Sequence, residues 1–158
     1  MTVLDAGGQY CHLIARKVRD LGVYAEVKPS ETPAEDLEGR KALIISGGPD
    51  SVYSPDSSAI DPNILKGDTA VLGICYGHQL MTWCLDGRVH KGEKGEYGPA
   101  RLNVPQPGLL FAGTAGSQQV WMNHRDTVER VPEGFRVIGS TDTSVSYTHL
   151  TLPTILRV

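Results

Sequence analysis

The chain lacks basic clusters and long apolar segments. Its 158 residues carry 15 Lys and Arg against 18 Asp and Glu, and the formal net charge is -3. Because the basic residues are scattered, neither nucleic acid nor an anionic membrane is the expected partner. No apolar run approaches the roughly 18 residues that a membrane-spanning helix needs, and the N-terminus does not have the pattern of a signal peptide. We therefore expect a cytoplasmic location.

Cysteine is scarce as well. The three cysteines, Cys11, Cys75 and Cys84, are an odd number without the spacing of metal ligands. This pattern favours neither a disulfide framework nor a metal site, so we expect no bound metal. The question that remains is whether one of the three is a reactive thiol.

The residues that are present suit a globular α/β domain, with 40% hydrophobic and 21% charged residues. Short apolar runs alternate with segments of helical period, a pattern typical of a mostly parallel sheet flanked by helices. The second half of the chain is richer in turns and indicates antiparallel strands. The predicted strands are 2–5, 23–27, 42–45, 70–74, 118–122 and 135–139, and the predicted helices are 9–21, 33–37 and 76–85.

The segment Gly73-Ile74-Cys75-Tyr76-Gly77 places a cysteine between two glycines where a buried strand meets a helix. A tight turn of this kind exposes a nucleophile, and the glycines let strand and helix approach closely. The free N–H groups and positive potential of a helix N-terminus lower the pKa of a thiol. We predict that Cys75 is a nucleophile. The alternative is a small buried hydrophobic residue, which is the interpretation we prefer for the other two cysteines.

The segment Ser46-Gly47-Gly48-Pro49-Asp50-Ser51 has two interpretations. Its pattern matches the pyrophosphate loop of ATP pyrophosphatases, whereas its position after a buried strand suits half of an oxyanion hole. A phosphate loop aims successive N–H groups at the anion from the start of a helix. Pro49 removes one of those donors, and Pro55 disfavours a helix directly after the motif. We therefore predict that the Gly48 N–H faces a developing negative charge, with Gly47 allowing unusual backbone angles.

Four motifs together resemble those of the class I glutamine amidotransferases. They are, in order along the chain, "LDAGGQY", "LIISGGPDSVY", "GICYGHQLM" and "VWMNHRDTV". The likeness covers residues 2–143 and is greatest to the glutaminase part at the N-terminus of GMP synthases, chiefly through "DAGGQY" and "EYGPARL". The fold that it implies is flavodoxin-like, with the C-terminal part of the domain truncated.

The resemblance implies a role for each matching residue. Cys75 would attack the side-chain amide of glutamine, and the N–H groups of Gly48 and Tyr76 would hold the oxyanion. Gln79 and the segment Asn123-His124 would position the substrate. This domain would need no cofactor. Ammonia would pass to an ATP-pyrophosphatase synthetase domain, on the same or a separate chain, where ATP and Mg would serve the conversion of XMP to GMP.

One part of the family pattern is missing. Members complete their catalytic triad with His-Pro-Glu, and this sequence contains no such tripeptide. His149 lies late in the chain but is followed by Leu150-Thr151, so we do not expect it to be the base. Residues 145–158 resemble translated read-through of a sequencing-library adapter. We therefore expect an incomplete amidotransferase domain over 1–144, an unrelated tail over 145–158, and a chain that is inactive by itself.

Two alternatives stay open on the sequence alone. The domain could serve another amidotransferase pathway, such as anthranilate or carbamoyl-phosphate synthesis, although "DAGGQY" disfavours this. It could also be a non-catalytic module that binds glutamine or a synthetase, which the missing His-Pro-Glu favours.

Overall fold

A parallel sheet of four strands organises the first part of the chain, in a computed structural model that describes residues 1–92 and 95–141. The strands are β1 (Thr2–Asp5), β2 (Glu26–Pro29), β3 (Ala42–Ile45) and β4 (Ala70–Gly73), in the order β2-β1-β3-β4. Val3 lies opposite both Val27 and Ile44 in this register. The sheet belongs to a compact unit, Met1–Cys84, and a second unit begins at Leu85.

Two α-helices accompany this sheet. Helix α1 (Cys11–Asp20) buries Cys11 and Ala15 in a core cluster with Val3 and Ile44. As predicted, Gly22 terminates it just beyond its last residue: its φ is +78°, which favours glycine, and its N–H bonds to the Arg19 carbonyl. Helix α2 (Tyr76–Cys84) follows β4 directly, and nearly all of its residues are buried.

The sequence-based boundaries for this unit are largely confirmed, with one clear error. β2 begins at Glu26 and not at position 23, because Val23 and Tyr24 are 45% and 72% exposed and lie outside the sheet. The predicted short helix after it is a 3-10 helix, Ala34–Leu37, and a second 3-10 helix spans Pro62–Leu65.

The second unit contains antiparallel strands, as predicted. β5 (Arg88–His90) pairs with β8 (Thr127–Arg130). β6 (Glu96–Asn103) lies between β7 (Ser117–His124) and β9 (Ser140–Thr141). The core of this unit includes Leu102, Val104, Phe111 and Ile138.

Two predictions in this unit are wrong. β6 was not predicted, because Gly98 and Pro99 are turn-forming residues that stand inside a strand here. The expected strand at 135–139 has no regular secondary structure. Ile138, an apolar residue in this segment, is fully buried in the core without belonging to a strand, and β9 follows it.

The expected division into 1–144 and 145–158 cannot be compared with this fold. The proposed boundary, the tail and His149 lie outside the described residues, so each of these remains a prediction. Within the residues that are described, no helix has the length and apolar character required to cross a bilayer.

Candidate active site around Cys75

Cys75 occupies the turn between β4 and α2, as predicted. Its φ is +52°, a left-handed conformation that residues other than glycine seldom adopt and that often marks a functional position. The Cys75 carbonyl accepts hydrogen bonds from the N–H groups of His78 and Gln79, at 3.0 and 3.1 Å. Cys75 therefore directly precedes the first residue of α2, and its side chain lies at the N-terminus of this helix.

The glycines on either side of Cys75 allow a close approach of backbone to backbone. A Cβ atom on Gly73 would lie 2.7 Å from the Cα of His78, and one on Gly77 would lie 2.8 Å from the carbonyl carbon of Ile45. The Ile74 N–H also donates to the Ile45 carbonyl over 3.0 Å, which ties this turn to the end of β3. The strand-to-helix turn predicted from the sequence is confirmed.

The pKa of the Cys75 thiol is raised above its ordinary value, contrary to the prediction. Burial is the larger effect and disfavours the thiolate, whereas the backbone N–H of Tyr76 lowers the pKa by bonding to the sulfur. Burial also raises the pKa of Cys11 and of Cys84. The direction of the pKa shift therefore does not distinguish Cys75 from the other two cysteines. Its position in the strand-to-helix turn does distinguish it.

We expect the alkylation of Cys75 by iodoacetamide to depend steeply on pH. Because the thiolate is the nucleophile and burial raises the pKa, the rate should still be rising at pH 9.0, the ordinary value for a thiol. Peptide mapping after timed quenching would follow Cys75 separately from Cys84. A midpoint clearly below that pH would show that the helix N-terminus outweighs burial.

The turn at Gly47-Gly48 lies directly against Cys75. A Cβ atom on Gly47 would be 3.4 Å from the Cβ of Cys75, and one on Gly48 would be 3.3 Å from a ring carbon of Tyr76 and would collide with the Ala6 carbonyl. Position 48 therefore requires glycine, whereas a Cβ at position 47 would make an ordinary contact. The structure thus brings together the two segments, one after β3 and one after β4, that the sequence analysis assigned to a single site.

Hydrogen bonds fix this turn to the end of β1. The Ser46 hydroxyl accepts from the Ala6 N–H at 3.0 Å and donates to the Gly47 carbonyl at 2.9 Å. A Cβ on Gly8 would collide with the Gly47 carbonyl, so the segment after β1 packs closely on the turn. These contacts tie the Gly47-Gly48 turn to the end of β1 and to the segment after it.

The loop after the turn is held by contacts that the sequence analysis did not find. The Asp50 carboxylate accepts hydrogen bonds from the N–H and hydroxyl of Ser58, at 2.9 and 3.1 Å. The Tyr76 hydroxyl donates to the Ser58 carbonyl, which joins the loop to α2. Tyr53 and Trp83 add an edge-to-face contact with ring centroids 5.2 Å apart. In the sequence, the only indication of this closed loop is Asp50 itself, which belongs to the glycine-rich motif.

This loop geometry disfavours the pyrophosphate-loop interpretation. Turns, and not a helix, follow Ser51, and the next helical segment is the 3-10 helix Pro62–Leu65. The motif therefore lacks the helix N-terminus that gives a phosphate loop its positive potential. Asp50 is engaged in closing the loop.

The predicted substrate-side residues lie on two different units. Gln79 is on α2, one turn after Cys75, and is 6% exposed. Asn123 and His124 end β7 in the second unit. His124 is 5% exposed and its Nδ1 donates to the Asp126 carbonyl at 3.1 Å, while Asn123 is exposed. Their roles towards glutamine remain predictions.

No group of three or more His, Cys, Asp or Glu among residues 1–92 and 95–141 is arranged to hold a metal ion. The groups that the structure places next to Cys75 are the backbone of the Gly47-Gly48 turn and of Tyr76, and the one carboxylate described nearby, Asp50, closes the loop.

Comparison with known families identifies the domain. The family model "Glutamine amidotransferase class-I" matches residues 2–156. The chain belongs to this family. Its sequence resemblance and its mostly parallel, flavodoxin-like sheet flanked by helices are therefore both confirmed.

The amidotransferase domain is also similar to curated GMP synthases [glutamine-hydrolyzing]. It is 51% identical to that of Parafrankia sp. over 141 residues, which are 88% of this chain and 26% of that protein. The identity is 47% to the Symbiobacterium thermophilum protein and 46% to the Lactobacillus gasseri protein, covering 90% and 85% of this chain and 28% and 27% of those proteins. The chain thus spans about a quarter of the length of these relatives and is homologous to their glutaminase portion.

Solved structures agree with this fold. A protein from Thermoplasma acidophilum, described as a candidate subunit of GMP synthase, matches with a TM-score of 0.75 and 27% identity, over 90% of this chain and 72% of that chain. A glutamine amidotransferase from Thermotoga maritima matches with a TM-score of 0.70 and 20% identity, over 98% and 72% of the two chains. The second likeness concerns the fold alone.

Proposed function

We propose that this amidotransferase domain supplies ammonia from glutamine to a GMP synthase, with Cys75 as the nucleophile. The observation that carries the proposal is the packing of the Gly47-Gly48 turn against Cys75 at the start of α2. Acyl transfer from an amide requires a nucleophile and N–H donors for the oxyanion, and this packing places the glycine turn beside the Cys75 thiol. The identity of 51% to a GMP synthase supports the choice of pathway over other amidotransferases.

The chemistry follows from these groups. The Cys75 sulfur attacks the side-chain carbonyl carbon of glutamine, and the carbonyl electron pair moves onto oxygen. The N–H groups of Gly48 and Tyr76 hold this oxyanion; removing one such donor costs about a hundredfold or more in rate. The C–N bond then breaks, the nitrogen takes up the thiol proton, and ammonia leaves. Water hydrolyses the thioester to glutamate and restores the thiol.

The remaining predicted residues complete the proposal. Gln79 on α2 and the segment Asn123-His124 on β7 position the glutamine. The domain uses no cofactor for this half-reaction. ATP and Mg act in a synthetase domain, which corresponds to the greater part of the relatives' length and receives the ammonia for conversion of XMP to GMP. Cytoplasmic location fits this metabolic role.

We expect the 158-residue chain alone to release little ammonia from glutamine. The sequence contains no His-Pro-Glu, so no residue of the family pattern is present to accept the thiol proton. A coupled glutamate dehydrogenase assay would measure the rate. In a chimera, the segment from position 142 onward would be replaced by its Parafrankia equivalent, which the family pattern expects to carry His-Pro-Glu. The chimera should gain about 10²–10⁴-fold, the usual contribution of a general base.

Two results would contradict this account. A rate for the unaltered chain near that of the chimera would show that His149 or another group serves as the base. A chimera that is folded and binds glutamine but stays inactive would favour the alternative of a non-catalytic module.

A further inference from the structure

An exposed aromatic surface covers one side of the β6–β7 pair. Residues directly opposite each other on antiparallel strands share a face, and here the pairs are Tyr97 with Asn123 and Pro99 with Trp121. Trp121 is 77% exposed and Tyr97 is 67% exposed. We name this surface the aromatic ribbon face, and its members are Tyr97, Pro99, Arg101, Gln119, Trp121 and Asn123.

The rings of Tyr97 and Trp121 do not form part of the core of the unit. The opposite side of the same strands already provides the buried contacts, through Leu102 and Met122, which are 3% and 5% exposed. Val120 packs on that core as well. The strand pair therefore presents apolar groups on both of its sides, and the outward ones are not members of the core cluster of the described residues. Exposed Trp and Tyr together are typical of the centre of a protein interface.

We infer that the aromatic ribbon face is the surface on which the ATP-using synthetase portion of GMP synthase docks. This inference rests on the proposed function, because ammonia must then reach a second catalytic centre. The three curated relatives have about three quarters of their length outside the region that this chain matches. Asn123 lies on the face itself and belongs to the segment that the proposed function assigns to glutamine binding.

The size and charge of the face suit a synthetase portion better than a second copy of this chain. Two strands of eight residues offer a face that is small beside the roughly 1,200 Å² or more of a stable interface between separate chains, so docking between separate chains should be weak. Interfaces between domains of one polypeptide are smaller, because the linker supplies a high effective concentration. Arg101 is the charged member of the face, and no acidic residue stands at its six positions. The partner surface should thus combine an apolar pocket for the indole ring with carboxylates at its edge.

The experiment measures binding of the full 158-residue chain to the Parafrankia GMP synthase from which the matched N-terminal region has been removed. ATP-dependent formation of GMP from XMP with added ammonium would verify that this probe is folded. We expect Trp121→Ala to weaken binding by at least about tenfold, as for a central aromatic anchor, and Tyr97→Ala to weaken it less. Tyr24→Ala is the matched control, since Tyr24 is 72% exposed on the other unit, and it should leave the Kd unchanged.

A second readout uses the fluorescence of the indole ring. The chain has two tryptophans, so a Trp83→Phe background leaves Trp121 as the single tryptophan of this chain. The spectrum of the probe alone would be subtracted from that of the mixture. The emission of Trp121 should shift to shorter wavelength when the probe binds, because the ring leaves water.

Several outcomes would overturn the inference. They are equal affinity of Trp121→Ala and wild type, absence of binding between the folded chain and the active probe even at millimolar concentrations, which match the effective concentration of a short linker, and a dimer of this chain that Trp121→Ala dissociates. Failure of the proposed function is a separate result, seen as a Cys75 that does not react with glutamine analogues while docking is intact.

Discussion

Replacement of Cys75 by serine should abolish covalent labelling of the domain by a glutamine analogue that carries a chloroketone in place of its amide. Such a reagent places its electrophilic carbon where the side-chain amide carbon of glutamine would lie. Labelling needs only the nucleophile and the substrate pocket, so it should proceed, slowly, without the His-Pro-Glu that the sequence lacks. A hydroxyl is a far weaker nucleophile than a thiol, and we expect the rate to fall by more than about a hundredfold.

Intact-mass spectrometry followed by peptide mapping would measure this effect and locate the adduct. Cys84→Ser is the matched control, because Cys84 is a partly buried thiol at the other end of the same helix. It should label like the wild type, and added glutamine should protect both proteins. An adduct on Cys11 or Cys84 would contradict the assignment of the nucleophile.

The position of Cys75 could be predicted from the sequence because the determinants of its turn are local. The apolar runs before Gly48 and before Cys75 are typical of buried strands, and both form strands, although β4 buries only Val71 fully. Glycines at the ends of such strands allow close backbone approach. Parallel neighbouring strands place their carboxyl ends at one edge of a sheet. The contact between the Gly47-Gly48 turn and Cys75 follows from that topology alone.

Features that depend on distant residues could not be predicted. The raised pKa of Cys75 comes from burial in the folded protein, which a strand-to-helix pattern does not reveal. The hydrogen bonds from Ser58 to Asp50, and the contact between Tyr53 and Trp83, likewise join residues that share no local motif. The residues that position the substrate are still harder to predict from the sequence, because Asn123 lies in a different unit from Cys75.

The same tight packing predicts that Gly77→Ala will destabilise the protein, against the trend for helices. Alanine in place of glycine inside a helix ordinarily stabilises by about 1 kcal/mol. At position 77 the new Cβ would lie 2.8 Å from the carbonyl carbon and from the Cγ2 of Ile45, and closer still to the Ile45 carbonyl oxygen. That oxygen is held by the Ile74 N–H at 3.0 Å, so the strand cannot yield without losing a buried hydrogen bond. Overpacking of this kind costs about 1–3 kcal/mol, and we expect a net loss of stability.

Urea unfolding followed by circular dichroism would give the change in the free energy of unfolding. Gly67→Ala serves as the control in the same unit, because the nearest atom to its new Cβ is the Thr69 nitrogen at 4.0 Å, an ordinary contact. It should change stability by less than about 0.5 kcal/mol. Since α2 would be pushed away from β3, Gly77→Ala should also slow the labelling of Cys75 even under conditions where the protein is fully folded. A Gly77→Ala protein as stable as the wild type, with unchanged labelling, would mean that the turn is not constrained by its contact with Ile45.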